Sequence, residues 1–132
     1  MCYINSSLGC RQIGFIGDPP EALEMAVFSD ADFAGDREDA KSTTGIFVAL
    51  TGPHSFYPLT AASKKQTAVS NSTPEAEVVA AFDAIRLEAL PLLDVWEEIL
   101  GRKVRCTLYE NKQACIAIIK SGRFPKMRHV KR

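Results

Sequence analysis

Neither charge is in excess: sixteen Lys plus Arg balance sixteen Asp plus Glu. Bulk electrostatics therefore selects no particular partner. No apolar stretch is long enough to span a bilayer, so no membrane partner is expected. Met1 to Gly14 lacks the sustained apolar core of a secretory signal. Cysteine is sparse, and Cys2, Cys10, Cys106 and Cys115 form no close pair of the zinc-finger type. Cys106 and Cys115 lie in apolar segments, which points to reduced thiols in an intracellular, non-secreted chain. A glycine-rich phosphate loop, a nucleophile elbow, internal repeats and low-complexity tracts are all missing. What is present, in 132 residues, suits one domain with one core. Charge is uneven only at the end, where Lys120 to Arg132 carries Lys and Arg and no acid.

The apolar pattern alternates between strand and helix periods. Met1 to Glu24 is punctuated by Gly14, Gly17, Asp18, Pro19 and Pro20 and reads as peripheral, with Ile13, Phe15 and Ile16 as a short edge piece. Met25 to Ser29 is the first strand, followed by a polar loop over 31–42. Thr43 to Thr51 is a second strand, and Gly52-Pro53 a turn. Ser55 to Ala62 is a third strand, which Pro58 places at an edge or a bulge, paired with the second as an antiparallel hairpin. Ser63-Lys64-Lys65-Gln66 returns to solvent. A helix starts near Thr73, with Thr73 as cap and Pro74 at its first position. Its buried stripe would be Val78, Phe82, Ile85 and Ala89. Pro91 predicts a kink or a second short helix, and Gly101 a stop. Lys103 to Tyr109 is the next strand. Asn111 to Lys120 is a helix with Ala114, Ile118 and Ile119 inward. Phe28, Phe47, Phe82 and Trp96 are core candidates. Strands followed by helices indicate an α/β fold with a mixed sheet.

Three acids stand in suggestive places. Asp30 ends the first strand, Glu77 sits on the long helix, and Glu110 follows the strand ending at Tyr109. Carboxylates at strand ends lie where α/β folds build their sites. If the strands of Asp30 and Glu110 are parallel neighbours, those two acids share one edge of the sheet. Convergent carboxylates repel unless a cation neutralises them. Two-metal phosphodiester hydrolysis is the chemistry that needs such a set. Glu75 and Glu77 point in different directions, so one can face a site while the other faces water. Acids are also common at surfaces and helix starts, and residue pattern alone leaves both readings open.

Four blocks narrow the choice. They are Ser29-Asp30-Ala31-Asp32-Phe33-Ala34-Gly35-Asp36, Lys41-Ser42-Thr43-Thr44-Gly45, the pair Ser63-Lys64-Lys65-Gln66 and Ser72-Thr73-Pro74-Glu75-Ala76-Glu77, and Tyr109-Glu110-Asn111-Lys112-Gln113-Ala114. In order and spacing they resemble the ribonuclease H domain of copia-type (Ty1/copia) retrotransposon Pol polyproteins. The resemblance spans roughly residues 25–131. It implies a ribonuclease H-like mixed sheet, three antiparallel strands then parallel strands, flanked by helices. It implies endonucleolytic cleavage of the RNA strand of an RNA–DNA hybrid. Asp30, Glu77 and Glu110 would be the catalytic and metal-binding acids for two Mg²⁺ or Mn²⁺ ions. The implied partners are the hybrid and the reverse transcriptase domain of the same polyprotein. The implied location is a cytoplasmic particle or the nucleus. On this reading residues 1–24 are a peripheral segment from the reverse transcriptase connection. Residues 25–132 are the ribonuclease H-like domain, ending before its last strand and helix.

The chain also departs from the family pattern. Glu110 stands where Asp is usual and has one more methylene. His129-Val130-Lys131 replaces His-Ile-Asp, and the distal motif with a fourth acid is absent. An impaired or inactive remnant, acting as a nucleic-acid-binding or protein-interaction module, is therefore the alternative expectation, and a host protein reusing the fold is a third.

Ser29, Lys64, Lys65, Asn111 and Gln113 are the candidate nucleic-acid contacts. Ser42, Thr43 and Thr44 are further hydroxyl donors, or local caps of strand ends. Lys64 and Lys65 read equally as a solvated turn, Asn111 as a helix cap, and Asp32 as a loop acid. His54 carries no ligand pattern.

Overall fold

The computed structural model describes residues 6–35 and 40–122. Asp36 and most of the basic end, including His129 and Lys131, lie outside the described residues. The elements are β1 (Glu24–Asp32), β2 (Thr43–Gly52), β3 (Ser55–Lys65), α1 (Thr73–Asp83), a π-helical turn (Ala84–Ala89), α2 (Leu90–Leu100), β4 (Cys106–Tyr109) and α3 (Gln113–Ser121). The four strands form one mixed sheet in the order β3-β2-β1-β4. β1 pairs antiparallel with β2 and parallel with β4, and β2 pairs antiparallel with β3. The expected α/β architecture, hairpin included, is therefore present. Among the described residues, no helix is long and apolar enough to cross a membrane.

Strand alternation builds the core. On β1, Met25, Val27, Ser29 and Ala31 are buried, while Phe28, Asp30 and Asp32 are exposed. On β2, Thr44, Ile46 and Val48 share the buried face with them. That face packs against α1, whose inward residues are small: Ala76, Ala80 and Ala81 are all buried. Small side chains let the helix approach the sheet closely. The register shift between Val48 and Ala49 falls opposite Pro58, and β3 is an edge strand. A proline without an N–H is tolerated at both of these places.

Several boundaries differ from the sequence pattern for identifiable reasons. β1 continues through Ala31 and Asp32, which polarity placed in a loop, because Asp32 pairs with Thr43. β3 likewise runs on to Lys65. The α1 cap is Ser72, whose hydroxyl accepts the Glu75 N–H at 3.4 Å, and not Thr73. Of the stripe Val78, Phe82, Ile85 and Ala89, only Val78 and Ala89 are buried; Phe82 and Ile85 are exposed. Close packing through alanines rotates the larger residues outward, and the π turn then shifts the helical register. Leu90 donates to Ile85 O, five residues back, and Ala84 and Ala89 face the core together. Pro91 therefore follows a π turn, not a break. Its missing N–H and bulky ring are accommodated where the helix is already widened.

Of the apolar run Leu92, Leu93, Trp96, Ile99 and Leu100 on α2, all but the exposed Ile99 rest on the core, and Gly101 ends the helix in the left-handed conformation. β4 is shorter than the pattern suggested, and Cys106 is exposed. On α3 the buried residue is Cys115; Ala114 is exposed and Ile119 largely so. Phe28 is not in the core, because its strand parity puts it on the sheet face away from α1. There it stacks on Tyr109 at 4.9 Å, and Phe47 stacks on Phe56 at 6.2 Å.

The segment before β1 is bonded to the sheet. Phe15 and Phe56 exchange two backbone hydrogen bonds of 2.9 Å, which confirms a short edge piece there. The Asp18 carboxylate accepts from the His54 N–H at 2.7 Å and from the Ser55 hydroxyl. Ser55 Oγ in turn accepts the N–H groups of Gly17 and Asp18, both at 3.0 Å. Arg102 clips the next turn by donating to Leu23 O at 2.7 Å. The Phe15–Phe56 pair covers part of the outer edge of β3, which would otherwise offer unpaired backbone groups.

The Ser55 and His54 bonds hold the Asp18 carboxyl below its ordinary range. A depressed folded pKa contributes stability above the unfolded value, about 3.9. That contribution disappears as the pH falls through the folded value. Asp18→Asn should therefore accelerate hydrogen exchange at the Phe15 and Phe56 amides near neutral pH, and the difference from wild type should vanish in strong acid. Equal exchange at neutral pH would refute the clip.

Candidate active site

Parallel pairing of β1 with β4 puts Phe28 opposite Tyr109. The residues just beyond, Ser29 and Glu110, therefore meet. Ser29 Oγ donates to Glu110 Oε2 at 3.3 Å, and the Lys112 N–H donates to Glu110 Oε1 at 2.9 Å. The carboxylate that ends β4 is thus held from two sides. Ser29, expected as a nucleic-acid contact, is buried by its strand parity and turns toward Glu110. Asp30, one residue on, points to the opposite face and is exposed.

Glu77 completes the group from α1. It is fully buried, and neither carboxylate oxygen makes a hydrogen bond of ordinary geometry among the described residues. Burial raises its pKa, and the charges of Glu110 and then Asp30 raise it further. Lys112 and the Ala31 amide pull the other way without reversing the shift. A buried carboxylate with no partner is costly. The charges of Glu110, at the end of β4, and of Asp30, on β1, thus both reach Glu77 on α1.

The donor set suits a hard divalent cation, because oxygen ligands and surplus negative charge are what such ions require. Among the described residues, no group of three or more His, Cys, Asp or Glu side chains is arranged to hold a metal ion as it stands. Two acids act on Glu77 electrostatically, but the three do not form a closed cage. Cys115 lies against it, and burial, with Glu110 and Glu77 nearby, pushes the thiol up to about 12. It is an inert, protonated filler.

Glu75 does not face water, as one of the two helix acids was expected to. It is buried, and its Oε2 accepts the Asn71 backbone N–H at 2.7 Å and the Asn71 side-chain amide at 3.2 Å. Its role is to fasten the start of α1.

The two lysines separate. Strand register pairs Lys64 with the buried Thr44 and Lys65 with Thr43. Lys64 therefore lies on the helix side, where it bonds Glu88 at 3.1 Å. Lys65 lies on the open face with Asp30. Ser42 and Thr44 are buried, and each bonds within the fold: Ala34 N–H donates to Ser42 Oγ at 3.2 Å, and Gln66 Nε2 to Thr44 Oγ1 at 3.0 Å. Thr43 is half-exposed. Asn111 does not cap α3; Lys112 holds that position without a side-chain bond. Asn111 and Gln113 are exposed beside Glu110. Asp32 is a strand-end acid whose carboxylate lies over Gly35, where a Cβ would overlap it.

Gln66 is the residue that sequence reading missed. Expected in solvent, it is buried. Its Nε2 bonds Thr44 Oγ1 and Ala76 O, both at 3.0 Å, and its Oε1 accepts the Ser70 hydroxyl at 3.2 Å. Its backbone N–H bonds Ser42 O at 2.8 Å. One side chain therefore ties β2 to the first turn of α1, next to Glu77. A glutamine after two lysines carries no burial signal, so local pattern could not find it.

Comparison with known proteins agrees over part of the chain. A stretch of 55 residues, 42% of this chain, is 47% identical to the Retrovirus-related Pol polyprotein from transposon RE1 of Arabidopsis thaliana. The Retrovirus-related Pol polyprotein from transposon RE2 of the same plant matches to the same extent, and in both cases the matched stretch is 4% of the relative. No protein-family profile and no solved structure matches. Part of this chain is thus similar to part of copia-type retrotransposon Pol polyproteins.

Proposed function

We propose that this chain is a ribonuclease H-like domain of a retrotransposon Pol polyprotein that cleaves the RNA strand of an RNA–DNA hybrid. The observation that carries the reading is the Glu77 carboxylate, fully buried, without a hydrogen bond of ordinary geometry among the described residues, and reached by the charges of Glu110 and Asp30. The antiparallel hairpin followed by a parallel strand and the partial likeness to Pol polyproteins support it.

Asp30, Glu77 and Glu110 would hold two Mg²⁺ or Mn²⁺ ions. When bound, such ions supply an activated water and charge stabilisation at the leaving oxygen. The chain's own residues do the positioning. Ser29 and the Lys112 amide orient Glu110. Gln66 fixes the helix that carries Glu77. Thr43 and Lys65 offer a hydroxyl and a positive charge on the face of Asp30, and Asn111 and Gln113 stand exposed beside Glu110. Cleavage would leave a 3′-hydroxyl and a 5′-phosphate. The reverse transcriptase domain of the same polyprotein would be the covalent partner, in a cytoplasmic particle or the nucleus.

A second reading has its own observation. The carboxylates are not arranged to hold a metal ion as they stand, which favours a remnant that binds nucleic acid without cutting it. Cleavage of a labelled hybrid in magnesium and in manganese, beside Asp30→Asn, separates the two. Wild-type cleavage that falls by about 100-fold or more in Asp30→Asn is the expected result. Wild-type activity no greater than that of the variant, from folded protein, would leave the remnant reading.

A further inference from the structure

Gly45 is a glycine without a folding reason. It sits inside β2, flanked by Thr43, Thr44, Ile46 and Phe47, all residues that favour strands. A strand glycine weakens the sheet because it gives up backbone entropy and packs no side chain. The usual compensations are missing here. Its backbone is not in the left-handed region, since only Gly101 and Gly122 have positive φ among the described glycines. Nor is it crowded: the nearest atom to a Cβ built there is the Asp30 carbonyl oxygen at 3.8 Å, an ordinary contact. An alanine would fit, and the fold would gain by it.

The remaining reason for a glycine in a strand is the close approach of something else to the backbone. Register shows where that approach occurs. Gly45 is the direct partner of Asp30 on one side and of Ser63 on the other. All three lie on the face away from α1, so the space above Gly45 begins beside the Asp30 carboxylate and continues toward β3. The neighbouring row holds Asp32, Thr43 and Lys65, and the row on the other side holds Phe28 and Phe47. An acid, a hydroxyl and a cation on one flank and aromatic rings on the other suit a nucleotide that arrives with a divalent cation, its phosphate and sugar to the first side and its base to the second.

We propose that Gly45 is a specificity-determining position: its missing side chain lets the sugar–phosphate backbone of the strand being cut lie against β2 beside Asp30. This deepens the hydrolase reading above and rests on it for the word "cut", but its central claim concerns binding.

The test uses Gly45→Ala and Gly45→Val in the full chain. Thermal unfolding is measured first, then binding of a labelled RNA–DNA hybrid and of the labelled RNA strand alone, in magnesium, and finally cleavage of the hybrid. Gly45→Ala should melt roughly 2–4 °C higher than wild type, because a strand glycine has been removed. Gly45→Val should bind the hybrid on the order of tenfold more weakly, as expected for a side chain forced into occupied space, with Gly45→Ala in between. If wild type binds the hybrid without cutting it and Gly45→Val loses that binding, the hydrolase reading fails and this one stands. A folded Gly45→Val that binds as wild type does would overturn the proposal, as would a wild type that binds neither probe. Should Gly45→Val not fold, Gly45→Ala decides alone: higher melting with weaker binding supports the proposal, and unchanged binding defeats it.

Discussion

Glu77→Gln should make the metal-free protein more stable while abolishing hybrid cleavage. The wild-type carboxylate is fully buried, makes no hydrogen bond of ordinary geometry among the described residues and feels the charges of two other acids. Replacing it with a neutral isostere removes the buried charge but leaves an amide that also lacks partners. The net gain is therefore modest, on the order of 1 kcal/mol, or roughly 3–5 °C in Tm for a domain of this size.

The pH dependence has a definite sign. The folded pKa of Glu77 is raised. Below the unfolded value, about 4.3, the group is neutral in both states and imposes no penalty. As the pH rises past that value the unfolded chain ionises first, and the folded state loses stability until the folded carboxyl ionises as well. The Tm advantage of Glu77→Gln should therefore be small in acid and grow toward neutrality. Magnesium or manganese should narrow it by stabilising wild type through mass action, with little effect on the variant. A variant less stable than wild type at neutral pH without metal would contradict this account of the site. Such an exchange of stability for chemistry is expected where activity requires an unfavourable arrangement.

Gln66→Leu should destabilise the fold by about 2–3 kcal/mol and impair any activity that depends on Glu77. The substitution keeps bulk but removes both polar ends. Ala76 O and the hydroxyls of Thr44 and Ser70 then lose the partner that Gln66 supplies. Buried groups deprived of partners cost more than the lost bonds were worth. Denaturant unfolding should show a lower midpoint with an unchanged slope. Gln66→Glu separates the two roles of the side chain. It keeps the acceptor and loses the donor beside Thr44 and Ala76, while adding a charge near Glu77, so it should be at least as damaging. A neutral Gln66→Leu would mean that the β2–α1 junction is held by packing alone.

The contrast between these two residues shows how far local sequence reaches. Asp30, Glu77 and Glu110 stand out as candidates because local rules mark their surroundings: an apolar run turning polar, a helix past its cap, the residue after an alternating strand. Resemblance in the order of four blocks tied them together. Gln66 was not legible, because its burial follows from β3 running on to Lys65 and from α1 lying close on its alanines.

The same division applies across the chain. Local pattern alone marks the strand and helix alternation, the turn at Gly52-Pro53, the edge position of Pro58, the stop at Gly101, and the candidate acids. All of these follow from dihedral preference and side-chain period over a few residues. Which face each residue serves depends on long-range packing. It sent Ser29 inward to Glu110 and Asp30 outward, parted Lys64 from Lys65, turned Phe28 and Phe82 out of the core, and placed Gly45 beside Asp30. Those outcomes depend on register between distant strands and on the closeness of α1 to the sheet, and a one-residue change of register would reverse every face assignment.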